Sequence, residues 1–314
     1  MKALVTGGAG FIGSHVVDKL RDKGVEVRVY DMTMPTYRKD IDYYQGSLLD
    51  FEALRMSLDK IEVVFHLAAV ADVKEVYEEP HYSEAINTRG TINVLEAARR
   101  SQIKRVIYAS TTWVYSDCPE EIVGETTPLP PPTHLYTATK LASEYYCLAY
   151  SRLYDIGTTV LRYGIPYGPR ARPGAVIPIF VAKALRGEPL TIAGEGSQFR
   201  QFIYVEDLAE GNVLALRSVA KNKIYNLDGK DKITIKQIAE TVQKLVGGVK
   251  IEKIPARPGD FSGKEVSSEL AKRELGWEPK VGFEEGLRRY IEWHKKEEAE
   301  RESKWAQIDE ILKS

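Results

Sequence analysis

The chain has 314 residues, of which 43% are hydrophobic and 28% are charged, and its formal net charge is −1. This ordinary globular composition gives no reason to expect a nucleic-acid or membrane partner, and no apolar run approaches the length of a membrane span. Cys118 and Cys147 form no disulfide framework, and the five histidines are not spaced as metal ligands. We therefore expect a cytoplasmic protein without a metal site.

Apolar, β-branched runs alternate with helical patterns through the first half of the chain. Strands are predicted at 2–5, 26–30, 62–66, 104–110 and 158–162, and helices at 12–23, 51–58, 83–101 and 137–154. Strands that are apolar on both faces and are joined by helical crossovers predict an α/β fold with a doubly wound parallel sheet.

The first strand, helix and second strand enclose a glycine-rich loop and end on an acid. Gly7 permits a tight turn, Gly10 lets the backbone approach a pyrophosphate at the helix N-terminus, and Gly13 allows close packing of helix and strand. Asp31 follows the second strand, where a carboxylate can accept hydrogen bonds from ribose hydroxyls and would repel a 2′-phosphate. This order predicts a dinucleotide site that prefers NAD to NADP.

The composition changes after about residue 164, where Pro and Gly become frequent and the predicted helices become shorter. We interpret residues 1–164 as an NAD-binding Rossmann domain, to which a segment at about 202–227 returns. Residues 165–201 and 228–314 are predicted to form a smaller, interleaved α/β substrate lobe. Ligands of such sheets lie beyond the carboxyl ends of the strands, so the site is expected in a cleft between the lobes.

A tyrosine and a lysine four residues apart open the predicted helix 137–154. Because positions four apart share a helix face, the Lys140 ammonium is expected near the Tyr136 phenol, where it favours the ionised form. A tyrosinate can remove a proton from a sugar hydroxyl while a hydride leaves the same carbon. The preceding strand ends in hydroxyl residues, of which Thr111 is predicted to orient the reacting oxygen, with Ser110 as the alternative.

These motifs resemble the extended short-chain dehydrogenase/reductase superfamily, and within it the nucleotide-sugar epimerase/dehydratase family, closest to its UDP-glucose 4-epimerase-type members. The similar segments are the G-x-x-G-x-x-G loop from Gly7, His66-Leu67-Ala68-Ala69, Asn87 to Ala97, Leu161-Arg162-Tyr163 with Tyr167 to Arg170, Gly196 to Asp207, and Arg257 to Asp260. The resemblance spans nearly the whole chain in the expected order.

The resemblance implies three groups of site residues. The catalytic residues would be Thr111, Tyr136 and Lys140. Besides Tyr136 and Lys140, the cofactor would contact Gly7, Gly10, Phe11, Ile12, Gly13, Asp31, Leu48, Leu67, Ala68, Ala69, Asn87 and Tyr163. The substrate would contact Thr111, Thr112, Trp113, Tyr136, Arg200, Arg257 and Asp260, and the two arginines would hold its diphosphate.

Several departures from the family pattern concern the substrate and the adenine side of the cofactor. Thr112 and Trp113 stand where 4,6-dehydratases carry an acid, so dehydration is not expected. Trp113 itself has two open interpretations, stacking on a sugar ring or packing as part of a wall. The other departures are Gly164-Ile165 in place of Phe-Asn, Ser47 in place of an Asp, and Ala193 in place of an aromatic residue that packs on a nucleobase.

The resemblance implies NAD-dependent epimerisation of a nucleotide-activated sugar, at C4 of a UDP-hexose through a 4-keto intermediate. Three alternatives stay open: a UDP-uronate decarboxylase with Arg170 and Arg172 as the carboxylate clamp, a nucleotide-sugar dehydrogenase or reductase, and a non-catalytic NAD-binding sensor. Threonine dehydrogenase shares the same fold and triad. The family also implies a homodimer formed through helices 83–101 and 137–154.

Overall fold

The computed structural model describes residues 1–38, 40–255 and 263–313, and the chain divides into two compact units. The first unit comprises Met1–Pro166, Gln201–Lys232 and Lys264–Pro279, and the second comprises Tyr167–Arg200, Ile233–Gly263 and Lys280–Ser314. Within the described ranges, no helix is both long enough and apolar enough to cross a membrane.

The strands and helices follow one another in the alternating order of an α/β protein. The strands are β1 (Lys2–Thr6), β2 (Glu26–Asp31), β3 (Asp42–Gln45), β4 (Val63–His66), β5 (Arg105–Thr111), β6 (Ile122–Val123), β7 (Gly157–Tyr163), β8 (Ile165–Tyr167), β9 (Leu190–Ala193), β10 (Phe199–Tyr204), β11 (Lys223–Leu227), β12 (Lys232–Thr234), β13 (Ile251–Ile254) and β14 (Glu265–Val266). The helices are α1 (Phe11–Asp22), α2 (Phe51–Ser57), α3 (Val73–Glu78), α4 (Pro80–Glu84), α5 (Gly90–Arg100), α6 (Leu135–Tyr154), α7 (Val176–Leu185), α8 (Val205–Leu214), α9 (Ile235–Val246), α10 (Glu269–Leu275) and α11 (Phe283–Lys313). A π-helical turn, Ala85–Arg89, joins α4 to α5, and 3₁₀ turns lie at Thr112–Tyr115 and Ser218–Ala220.

A seven-stranded sheet in the order β11-β7-β5-β4-β1-β2-β3 lies at the centre of the first unit, and its adjacent strands are parallel. Successive side chains of each strand point to opposite faces, so Ile107 and Ala109 enter one hydrophobic layer while Val106 and Tyr108 enter the other. Helices α1 and α8 cover the first face, and α2, α5 and α6 cover the second. This arrangement confirms the predicted doubly wound, Rossmann-type fold.

Two strands of this sheet were not predicted as strands. The edge strand β3 is half-exposed and has the sequence Asp-Tyr-Tyr-Gln, which lacks the apolar run typical of a buried strand. At the other edge, β11 is the end of the segment 202–227, which was expected only to return to this domain. The predicted helix 83–101 is in fact the end of α4, the π-helical turn and α5.

The observed units differ from the predicted lobes at two short segments. Residues 228–232 and 264–279 belong to the first unit, whereas the sequence placed them in the second lobe. The reason for the latter is apolar burial, because Ala271 and Leu275 of α10 are buried in the same core cluster as Tyr225 of β11. The second unit contains the parallel pair β9 and β13, with α7 and α9 packed together.

Candidate active site

The glycine-rich loop lies where the strand order of the sheet reverses, because β1 has β2 on one side and β4 on the other. Doubly wound sheets bind ligands at this point, beyond the carboxyl ends of their strands. Gly7 has a φ of 71°, and a Cβ on it would lie 2.7 Å from the backbone nitrogen of Ala68. A Cβ on Gly13 would lie 2.0 Å from the carbonyl oxygen of Gly7. The loop therefore accepts no side chain at these two positions.

The first turn of α1 is built to receive an anion. Gly10 is the N-cap residue of this helix, and it has no side chain that could accept a hydrogen bond from the amides of the first turn. Such amides, together with the helix dipole, form a phosphate site. Phe11 and Ile12 begin the helix, and Ile12 packs against the core. The residues of the loop thus fit a dinucleotide, with its pyrophosphate at the helix N-terminus.

Asp31, at the end of β2, holds the glycine-rich loop. Its Oδ2 accepts a hydrogen bond from the amide of Ala9 at 3.0 Å. Its Oδ1 accepts hydrogen bonds from the amide and hydroxyl of Thr33, at 3.1 and 3.2 Å. A carboxylate has about four acceptor positions. Asp31 can therefore accept these three hydrogen bonds and one more from a ribose hydroxyl.

The chain after β4 runs beside the same loop. The amide of Leu67 donates to the carbonyl of Thr6 at 3.2 Å, and the amide of Ala68 donates to the hydroxyl of Thr6 at 3.3 Å. Ala69 follows and is half-buried. Leu48 is buried in the core on the other side of β1, and its carbonyl accepts a hydrogen bond from the side chain of Asn93 at 2.8 Å.

Tyr136 and Lys140 lie one turn apart at the start of α6. The Nζ of Lys140 donates to the carbonyl of Ala109 in β5 at 2.9 Å, and it lies 6.0 Å from the centre of the Tyr136 ring. Burial lowers the pKa of Lys140 to about 8, although the carboxylate of Glu144 opposes this change. The ammonium form therefore prevails at neutral pH, beside the phenol and near the carboxyl end of β5.

The two candidate hydroxyls at the end of β5, those of Thr111 and Ser110, have different hydrogen-bond partners. Thr111 is the last residue of the strand, and its Oγ1 accepts a hydrogen bond from the amide of Trp113 at 3.2 Å. This leaves its O–H as a donor. The hydroxyl of Ser110 points to the α6 face of the sheet, where it donates to Glu144. The geometry therefore favours Thr111 over Ser110 as a ligand-binding hydroxyl.

The loop after β5 is tied to the start of α6. Thr112 is buried, and the ring of Trp113 meets the ring of His134 edge to face, with 5.8 Å between centroids. His134 immediately precedes α6 and is its N-terminal cap residue. Trp113 therefore has at least a structural contact, which joins the loop carrying Thr111 to the helix carrying Tyr136.

Asn87 connects the chain after β4 to α6. Its Oδ1 accepts from the amide of Val70 at 2.8 Å, and its Nδ2 donates to the carbonyl of Val70 at 2.9 Å and to Oγ1 of Thr139 at 3.1 Å. It lies in the π-helical turn, a conformation common at functional sites. Asn87 thus fixes the segment of α6 that carries Tyr136 and Lys140.

The remaining predicted residues are Tyr163, Arg200, Arg257 and Asp260, of which Tyr163 is the partner of Thr111 in the pairing of β5 with β7. The phenol of Tyr163 is buried in the core, and its hydroxyl donates to Asn212 at 2.5 Å. Arg200 belongs to the second unit, where it is half-buried and its Nη1 donates to the carbonyl of Phe199 at 2.7 Å. Arg257 and Asp260 lie outside the described residues.

Glu144 is near this group but carries no motif that points to it, and it forms a buried ion pair with Arg162 of β7. Its place four residues after Lys140 puts it on the same helix face, a spacing that could have identified it. The partner in β7 could not be identified from the sequence, because the pairing depends on how α6 crosses the sheet.

The profile of the NAD dependent epimerase/dehydratase family matches residues 3–228. The chain belongs to the NAD-dependent epimerase/dehydratase family. Membership of this family confirms the resemblance derived from the motifs, and with it NAD as the cofactor.

Relatives of this epimerase/dehydratase chain match it over nearly its whole length. A putative UDP-glucose 4-epimerase of Methanocaldococcus jannaschii is 34% identical, over 93% of this chain and 98% of the relative. A UDP-glucuronate 4-epimerase of Thermodesulfobacterium geofontis is also 34% identical, over 93% and 95%. The crystal structure of a UDP-glucose 4-epimerase from Thermotoga maritima with UDP-glucose superposes with a TM-score of 0.88, at 35% identity, over 94% of this chain and 99% of that one.

Proposed function

We propose that this chain catalyses the NAD-dependent epimerisation of a UDP-hexose at C4, through a 4-keto intermediate. The observation that carries the proposal is the position of the Lys140 ammonium, which hydrogen-bonds the carbonyl of Ala109 and lies beside the ring of Tyr136. Two relatives described above, a UDP-glucose and a UDP-glucuronate 4-epimerase, support the same reaction. Thr112 and Trp113 follow Thr111 where a dehydratase would need an acid, which argues against loss of water.

The residues would divide the chemistry as follows. Bound NAD would supply the acceptor, and later the donor, of a hydride at the sugar carbon. Tyr136 would remove the proton of the C4 hydroxyl and return it, and the Lys140 ammonium would favour the phenolate form that this requires. Thr111 would donate a hydrogen bond that orients the reacting oxygen. Gly7, Gly10 and Gly13 would hold the pyrophosphate of the cofactor, and Asp31 its ribose.

The proposal extends to the substrate side. Arg200 and Arg257 would bind the diphosphate, because a guanidinium fork matches phosphate oxygens. Asp260, Thr112 and Trp113 would contact the sugar or its nucleotide. The first unit would then bind NAD and the second would bind most of the nucleotide sugar. The two unpaired, buried cysteines support a location in the cytoplasm.

We further propose that the chain forms a homodimer through α6 and the helical segment 83–101, which ends in α5. Large side chains of α6 are exposed, namely Tyr145, Tyr146, Leu153 and Tyr154. An exposed set of this size on one helix is typical of an interaction surface.

The reaction can be tested by incubating the protein and a trace of NAD with UDP-glucose, UDP-N-acetylglucosamine, UDP-glucuronate and their galacto epimers. Proton NMR would follow the anomeric signals while absorbance at 340 nm follows NADH. We expect a new epimer without net NADH. Stoichiometric NADH would instead identify a dehydrogenase, and loss of the carboxylate of UDP-glucuronate would identify a decarboxylase.

The relative that acts on UDP-glucuronate favours a second substrate for the same reaction, the uronate. The panel separates the two, because only one of UDP-glucose and UDP-glucuronate would be turned over efficiently. No conversion of any UDP-sugar would overturn the proposed substrate class, and GDP-, dTDP- and CDP-sugars would be tested next.

The role of Tyr136 can be tested with Tyr136→Phe, which keeps the ring and removes the hydroxyl. We expect turnover to fall by roughly 100-fold or more, because a positioned proton-transfer group contributes about 10²–10⁴-fold. Tyr77→Phe, at an exposed tyrosine of α3, is the matched control and should keep full turnover. Near-normal turnover of Tyr136→Phe would contradict the mechanism.

A further inference from the structure

A buried polar network lies behind Tyr136 and Lys140, on the α6 face of the sheet. The guanidinium of Arg162 binds the carboxylate of Glu144 through two hydrogen bonds, Nε to Oε1 at 3.0 Å and Nη2 to Oε2 at 2.7 Å. The side chains of this pair are each 4% exposed. Such a buried, bidentate pair is costly to desolvate, so its presence calls for a reason beyond stability.

The network reaches the strand end that carries Thr111. The hydroxyl of Ser110 donates to Oε1 of Glu144 at 2.5 Å. On the other side, Nη1 of Arg162 donates to the hydroxyl of Tyr115 at 2.6 Å, and that hydroxyl donates to Oδ1 of Asn226 at 2.9 Å. The carboxylate of Glu144 thus joins α6 to the last residues of β5 and to β7.

The same carboxylate lies one helical turn beyond Lys140, which donates to Ala109, the neighbour of Ser110. We propose that Glu144 is a positioning residue for the reaction. Its carboxylate opposes the effect of burial on the Lys140 ammonium and holds the Thr111 end of β5 against α6, and Arg162 anchors the carboxylate through two hydrogen bonds. The kinetic test of this inference rests on the proposed function. The hydrogen-bond network of Glu144 itself does not depend on which sugar the protein uses.

The groups that face Lys140 in the described part of the chain include one carboxylate, that of Glu144. They are Tyr136, Glu144 and Cys147 of α6, Tyr108 of β5, His66 of β4 and, through Glu144, Arg162 of β7. Burial raises the pKa of Tyr108 and of Cys147 and lowers that of His66 to about 3, so these three are neutral near pH 7. Glu144 raises the pKa of Lys140 against the effect of burial.

The test compares the pH dependence of turnover in the wild type, in Glu144→Asp and in the double variant Glu144→Gln/Arg162→Gln. The double variant avoids leaving an unpaired charge in the core. Its alkaline limb of kcat/KM, where Lys140 loses its proton, should move to lower pH, because the carboxylate that raises the pKa of Lys140 is lost. Glu144→Asp shortens the side chain by one methylene and keeps its charge. The alkaline limb should therefore move by less than in the double variant.

A second measurement follows the protonation of Lys140 through the stability of the protein and needs no enzymatic turnover. The pKa of Lys140 is about 8 in the folded chain and 10.5 ordinarily, so the unfolded state binds more protons between these values. The free energy of unfolding should therefore rise with pH across that window. In the double variant the rise should begin at a lower pH, and in Lys140→Met the part of the rise due to this lysine should be absent.

The matched control removes an exposed ion pair, Lys244 and Glu284 of the second unit, by Lys244→Gln/Glu284→Gln. In this control, neither the alkaline limb of kcat/KM nor the rise in the free energy of unfolding above pH 8 should change. An unmoved onset of the rise in unfolding free energy in both Glu144 variants would overturn the inference. A wild type that is inactive on every sugar would count against the proposed function alone, since the unfolding curves would still report on Glu144. If the double variant does not fold, the Glu144→Asp curves decide the question.

Discussion

Gly13 determines how closely α1 approaches the loop after β1. Its Cα faces the carbonyl oxygen of Gly7, which a Cβ would approach to 2.0 Å. A contact of this kind involves backbone on both sides, so no side-chain rotation can relieve it. The expected consequence is a shift of α1 away from the loop and the loss of the phosphate site at its N-terminus.

Gly13→Ala should reduce the free energy of unfolding by about 1–3 kcal/mol, the usual cost of overpacking a tight contact. It should also weaken NAD binding, measured by isothermal titration calorimetry. The control is Gly124→Ala, because a Cβ there meets no atom within 4 Å. Unchanged stability and NAD affinity in Gly13→Ala would contradict the tight packing of the loop.

His66 is a buried histidine whose ring connects two neighbouring elements. Its Nδ1 hydrogen-bonds the hydroxyl of Thr6 at 2.8 Å, and its Nε2 hydrogen-bonds the hydroxyl of Thr91 at 2.9 Å. Burial, with a smaller effect of the Lys140 charge, lowers the pKa of His66 to about 3. The ring is therefore neutral in the folded chain and protonated at acid pH only after unfolding.

This difference predicts a loss of stability as the pH falls from about 6.5 towards 3, because the unfolded state then binds the additional proton. The loss due to His66 should approach about 1.4 kcal/mol per pH unit. His66→Gln should show a flatter dependence in chemical denaturation between pH 7 and 4. His81→Gln, at an exposed histidine, should keep the wild-type slope.

At the scale of elements, the π-helical turn at Ala85–Arg89 aligns three pieces of the site. It places Asn87 where one side chain satisfies both backbone groups of Val70 and also reaches Thr139 of α6. Helix α6 is therefore positioned from two directions, by Asn87 on one side and by the hydrogen bond from Lys140 to β5 on the other.

Asn87→Ala should reduce the free energy of unfolding by about 3 kcal/mol, because it leaves the buried amide and carbonyl of Val70 without partners. Turnover should fall as well, since the start of α6 loses a support. Asn93→Ala removes one hydrogen bond, to the carbonyl of Leu48, and should cost about 1 kcal/mol. Equal losses in both variants, measured by urea denaturation, would argue against a special role of Asn87.

At the scale of the whole molecule, the parallel sheet concentrates the proposed cofactor and catalytic residues of the first unit at one edge. The loops after β1, β4 and β5 all leave the sheet at its carboxyl edge, and α6 brings Tyr136 and Lys140 to the same edge. The outer surface of α6, by contrast, carries tyrosines and Leu153 exposed to solvent.

The proposed homodimer predicts that Leu153→Glu, at a side chain 71% exposed, converts the protein to a monomer. A charge at the centre of an apolar interface would be desolvated without a partner. Val219→Glu, at another exposed apolar position, should leave the assembly unchanged. Sedimentation equilibrium at micromolar concentration would decide, and a monomeric wild type would contradict the proposed dimer.

The sequence by itself determined the parts of this protein that depend on local spacing. The glycines at 7, 10 and 13, the acid at 31 and the pair Tyr136 and Lys140 stand in patterns whose geometry a single loop or helix dictates, and the alternation of apolar strands with helices determined the doubly wound fold. Two functional assignments were left open or incomplete, because the choice between Thr111 and Ser110, and the surroundings of Lys140, depend on which face of the sheet each side chain meets.

Only the tertiary structure shows which face of the sheet each of these side chains meets. It turned Ser110 towards Glu144, buried the phenol of Tyr163 in the core, and added β3 and β11 as the two edges of the sheet. It also paired Glu144 with Arg162, 18 residues away along the chain. Contacts of α6 with β5 and β7 are set by how the helix packs across the sheet. This packing results from apolar burial over the whole unit, which no short stretch of sequence records.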